Sequence, residues 1–89
     1  MKIKTLFIRQ DTLLKRIDVS EVIVLEAEGN YVKLIGPGHH YLLRMTLDKA
    51  ILIMGKDIFC KTSRSYAVSV PHIEEIGKDV VTLAGVDVP

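Results

Sequence analysis

The longest uninterrupted apolar runs in this chain are VIVL at 22–25 and AILIM at 50–54, and their brevity restricts the fold more than any other feature. Runs of that length fill a buried strand or about two turns of helix, far short of the ~20 residues a membrane-crossing helix requires. Between them lie turn signals. Gln10-Asp11-Thr12 separates TLFIRQ from LLKRI, Glu28-Gly29-Asn30 separates VIVLEA from YVKLI, and Gly36-Pro37-Gly38 precedes HYLLRM. Gly allows positive φ, while Pro fixes φ and lacks a donor, so each interruption turns the chain. IFCKT, YAVSV, HIEEI and VVTLA continue the pattern, with Pro71, Gly77-Lys78-Asp79 and Gly85 as breaks before the chain ends at Val88-Pro89. Many short strands so punctuated indicate a mostly β sandwich or small barrel.

One segment departs from this rhythm. Thr46 is a suitable helix N-cap, Asp48 complements the dipole of a first turn, and Leu47, Ala50, Ile51 and Met54 fall at i, i+3, i+4 and i+7. A short α-helix of about two turns is expected, ending at Gly55. Leu52 and Ile53 lie off its stripe, so the helix is either buried on two sides or offers apolar surface to another subunit. In HYLLRM, period-2 alternation sends Tyr41, Leu43 and Met45 to one face and His40, Leu42 and Arg44 to the other. Arg44 is expected to face solvent or a ligand.

With 89 residues, 48% of them hydrophobic against 26% charged, residues 1–89 should form one packed domain with a thin core. MKIKTLFIRQ returns to charge at Arg9 without a secretory pattern, and Cys60 is alone. Both suggest the cytoplasm, no membrane partner, and a cysteine that serves as a small buried hydrophobe. The formal charge of +1 divides as seven basic and five acidic residues over 1–45, and five and six over 46–89. Neither half is polybasic, so any phosphate contact needs cations gathered by the fold.

Catalytic and metal chemistry find little support. Adjacent His39 and His40 would point to opposite faces of a strand, and no C-x-x-C or i, i+4 His pair accompanies them. Glu26, Glu28, Glu74 and Glu75 lack a partnered nucleophile, and neither G-x-G-x-x-G nor a Walker-type loop occurs. No enzyme activity, catalytic residue, metal or cofactor is expected. Polar and cationic residues do crowd two places where strands give way to loops: Glu28-Gly29-Asn30 with Lys33, and Lys61 through Ser65. Arg can fork onto guanine or grip phosphate, Asn can pair with adenine, and Ser reaches either base edges or phosphate.

The order of segments resembles a LytTR-type DNA-binding domain, the output module of many bacterial response regulators. The resemblance runs from about Phe7 to Pro89 and is carried by VSEVIVLEAEGNYVKLI (19–35), YLLRMTLDKAI (41–51) and FCKTSRSYAVSVPHIEEI (59–76). It implies a mostly β fold, an elongated stack of small antiparallel sheets with one short α-helix, whose loops enter successive grooves of double-stranded promoter DNA. It also implies paired direct repeats in that DNA, an attached receiver domain in a two-component system, and a homodimer. Carried over by position, Asn30 is a candidate for base or phosphate contact and Lys33 and Lys61 for phosphate; Arg44, placed outward by strand alternation, is a further candidate phosphate contact. Ser63 lies in the second loop, and Arg64 is the candidate for groove insertion. Tyr31 and Tyr66 are expected instead to bury their rings and leave their hydroxyls near the surface. Three departures stand out. Ser63 replaces the usual His, Ser69 replaces the usual Asn and is expected to affect a local turn, and a C-terminal Ser-Arg segment is expected to be missing, which would reduce DNA affinity. The competing expectation is an interaction or dimerisation module pairing through Leu52, Ile53 or an exposed sheet edge.

Overall fold

The structure, a computed structural model, describes residues 4–89. Among the described residues, ten strands form three antiparallel sheets. A hairpin joins β1 (Thr5–Gln10) to β2 (Leu13–Asp18), and a 3-10 turn at Val19–Glu21 then leads into the central sheet. That sheet contains β3 (Val24–Glu28), β4 (Tyr31–Gly36), β5 (His39–Leu43), β6 (Phe59–Lys61) and β7 (Tyr66–Ser69), in the order β5-β4-β3-β7-β6. The third sheet, β8 (Ile73–Ile76), β9 (Val81–Leu83) and β10 (Val86–Val88), follows a second 3-10 turn at Val70–His72. The sheets stay open and stack rather than closing into a barrel, and the molecule measures 43 × 33 × 24 Å. Sequence reading missed both 3-10 turns, because three residues are too few to show a period.

Alternation on the central sheet creates two cores. Leu25, Val32, Leu34 and Ala67 face one side, where they pack with Ile8 and Ile17 of the hairpin and with Leu47, Ala50 and Met54 of α1 (Leu47–Met54). Val24 and Val68 face the other side and pack with Leu83 and Val88 of the third sheet. The same alternation overturns one expectation. Phe59 is buried, but its neighbour Cys60 pairs with Val68 on the opposite face, at an edge the third sheet does not cover, and is exposed.

The helix begins as its sequence predicts, with the Thr46 hydroxyl accepting a 3.1 Å hydrogen bond from the Lys49 N–H. Its predicted stripe points inward, with Leu47, Ala50 and Met54 buried and Ile51 packed against them. Leu52, at 60% exposed, stays in solvent, while Ile53 is half-buried in a groove beside Leu6, Phe7 and Leu43. α1 carries the chain from the β5 edge across one face to the β6 edge, after which β7 inserts between β6 and β3.

Candidate nucleic-acid interface

This crossover decides which loops meet. β7 pairs antiparallel with β3 and with β6, and β4 pairs antiparallel with β3 and with β5. Strands β3, β5 and β6 therefore end, and β4 and β7 begin, at one end of the sheet. The β3–β4 turn with Asn30, the β5–α1 exit with Arg44, the last residue of β6, Lys61, and the β6–β7 loop with Ser63 and Arg64 all lie there; Lys33 is on β4 two residues past its start.

The turn Glu28-Gly29-Asn30-Tyr31 is closed by the Glu28–Tyr31 pair. Gly29 takes φ 60° while Asn30 stays in the negative-φ region, the type II′ pattern that follows strand twist. Asn30 is exposed at its tip. The β6–β7 loop is held more firmly. Thr62 and Ser63 N–H groups donate to the Tyr66 carbonyl at 2.9 and 3.4 Å, the Ser65 N–H donates to the Ser63 hydroxyl at 3.2 Å, and the Ala27 N–H of β3 donates to the Ser65 carbonyl at 2.7 Å. Ser63 thus braces the loop, and Arg64 projects from a fixed base.

Charge around this end is mixed. Lys33 Nζ lies 3.3 Å from Glu28 Oε2, and Lys61 Nζ lies 3.0 Å from Asp48 Oδ1 in the first turn of α1. Arg44 and Arg64 are exposed, and among the described residues neither forms an ion pair. The two guanidinium groups are therefore the least compensated charges of the predicted set.

The tyrosines divide. Tyr66 is half-buried and its hydroxyl donates to Glu26 Oε2 at 3.2 Å; the Glu26 carboxylate and then burial raise its pKa above the ordinary 10.0. Tyr31 does not bury its ring as expected: it is 43% exposed, because it occupies the last pair beside the turn, beyond the shelter of the third sheet. Ser69 is far from this end, buried where β7 leaves the sheet, with its hydroxyl 2.7 Å from His72 Nδ1.

Two further cations went unnoticed in the sequence. Lys49, exposed in the first turn of α1, stands at the same end; its place opposite the buried stripe was the available signal. Lys78, in the β8–β9 turn, lines one groove with Thr62, a proximity no local pattern reveals. Among the described residues, no three His, Cys, Asp or Glu side chains are grouped to hold a metal, and no helix is long and apolar enough to cross a membrane.

Among the described residues, cation-bearing loops gather at one end of the central sheet and the one helix packs against that sheet, an arrangement of a nucleic-acid-binding class of domain in which loops rather than the helix are exposed at that end. The sequence model of the LytTr DNA-binding domain family matches residues 13–85, and the chain belongs to that family. Its fold is similar to the LytTr DNA-binding domain of a Bacillus cereus protein assigned as a methyl-accepting/DNA response regulator, with TM-score 0.81, 22% identity, and coverage of 96% of this chain and 84% of that one. A comparison with curated proteins gives no match. The family is defined by DNA binding, so the chain is a DNA-binding domain.

Proposed function

We propose that this domain acts in the cytoplasm, without enzymatic activity of its own, as the sequence-specific output module of a bacterial transcriptional regulator. It contacts double-stranded promoter DNA end-on, through the β3–β4 turn and the β6–β7 loop. Arg64 enters a groove and reads base edges, with Asn30 as a second reader, while Lys33, Arg44 and Lys61 hold phosphate. Ser63 serves chiefly to set the angle of Arg64. The single observation that supports this reading is the convergence of strand ends: residues separated by up to 34 positions in the chain share one end of one sheet. Paired direct repeats, an attached receiver domain and pairing of two copies follow from the family's habits as part of the same proposal.

The test is selection of duplexes from a random pool, followed by titration of the variants on a selected site and on unrelated DNA. Arg64→Ala should cost about 1–3 kcal/mol on the selected site and much less on unrelated sequence. Lys61→Ala should weaken both equally and reduce the dependence on salt by about one counterion. Equal losses on both duplexes for Arg64→Ala would remove it from base reading.

A further inference from the structure

The two outer layers of the stack carry opposite charge. Lys4 through Asp18, the hairpin layer, holds four cations and two carboxylates, whereas Ile73 through Pro89, the third sheet, holds four carboxylates and one cation. They lie on opposite faces of the central sheet, each sealing one of the two cores. Their outward surfaces differ accordingly. On the hairpin the pairs Phe7–Arg16 and Arg9–Leu14 point away from the core, with Phe7 64% and Leu14 63% exposed. On the third sheet the outward row is Glu75, Thr82 and Asp87, whereas Ile76 and Val86 pair with Val81 and Leu83 and so belong to the opposite, core-facing side. Asp87 is held upright by a 2.8 Å hydrogen bond from the Thr82 hydroxyl.

An exposed apolar face ringed by one sign of charge is a docking surface in need of a partner of the opposite sign. This chain supplies that partner itself. We propose that the hairpin face of one copy docks on the third-sheet face of a second copy, head to tail, with Arg9 and Arg16 against Glu75 and Asp87. Such a contact is heterologous, because the two surfaces are different. It leaves a second hairpin free and can therefore add further copies. The inference extends the pairing of copies proposed above to a particular surface. Since its test uses no DNA, its failure leaves the groove reading untouched.

A charge exchange in sedimentation velocity decides the matter. The wild-type chain should associate as its concentration rises toward millimolar at low salt, and high salt should dissociate it. The double variant Arg9→Glu/Arg16→Glu and the double variant Glu75→Lys/Asp87→Lys should each remain monomeric, because each carries like charge on both faces. An equal mixture of the two should associate again. All four positions are exposed, and circular dichroism checks that both variants fold. A wild-type chain that stays monomeric at low salt overturns the proposal without recourse to any variant. Association of the Glu75→Lys/Asp87→Lys variant alone as strong as wild type would also overturn it, since it would point to a hairpin-to-hairpin contact. Failure of the mixture to associate where wild type does would end it equally.

Discussion

Lys33 and Lys61 each reach the candidate interface already holding a carboxylate, Glu28 at 3.3 Å and Asp48 at 3.0 Å. Pairs this open to solvent contribute about 0–1 kcal/mol, so a phosphate can displace either carboxylate, but the displacement subtracts from affinity. Glu28→Gln and Asp48→Asn should therefore each tighten binding to random-sequence duplex by roughly two- to fivefold at low salt, with the gain fading as salt rises. Fluorescence anisotropy across a salt series would show it, and unchanged binding would mean that the lysines do not face phosphate. Tyr66 gives a prediction of another kind. The neighbouring carboxylate of Glu26, and then burial, raise its pKa in the folded state, so the folded state holds the phenolic proton more tightly than the unfolded chain. Its contribution to stability is fully present below the ordinary value of 10.0 and is lost as pH rises through the raised folded value. Melting temperatures measured through the alkaline range should fall more steeply for wild type than for Tyr66→Phe, which has no such proton to lose.

Among the elements, the β9–β10 hairpin carries the clearest local conflict. Ala84 and Gly85 both take positive φ, 48° and 77°, between the paired residues Leu83 and Val86. This is a type I′ turn, whose first position suits Asn or Gly, while a Cβ there is strained. Ala84 is exposed and no packing would be lost, so Ala84→Asn should stabilise the domain by up to about 1 kcal/mol, measured as a higher urea midpoint with an unchanged slope. Thr46→Ala should act in the opposite sense, removing the N-cap bond to Lys49 at a cost of about 1 kcal/mol. These elements also mark how far the sequence could be read. Strand positions, the turns at Gly29 and Gly38, and the helix with its cap were legible, because alternation and turn chemistry are local. Cys60 was misassigned because its apolar neighbours say nothing about which face of a three-residue edge strand it occupies. Tyr31 was misassigned because shelter by the third sheet is a tertiary fact.

At the scale of the whole molecule, the candidate site depends on strand order, which no local pattern encodes. Asn30, Arg44 and Arg64 were legible as residue types suited to DNA, but their meeting at one end required α1 to cross from the β5 edge to the β6 edge. The same architecture makes rigidity uneven. β3 and β7 contribute to both cores, with Val24 and Val68 facing one and Leu25 and Ala67 the other, all 1% exposed or less. The β1–β2 hairpin is a separate two-stranded sheet, and a lone hairpin has little stability beyond what its packing supplies. Opening free energies should follow this division. In native-state hydrogen exchange, the amides of Leu25 and Ala67 should be among the slowest and should report global unfolding, while those of the hairpin exchange through a smaller opening that leaves the central sheet intact. The Ala27 N–H, which ties β3 to the Ser65 carbonyl, distinguishes two accounts of the interface. Protection of Ala27 close to that of Leu25 would mean that Arg64 projects from a base as rigid as the core, as groove reading by a preformed loop demands. Exchange of Ala27 at the rate of the hairpin would mean that the loop opens independently, and the fixed aim of Arg64 would be lost with it.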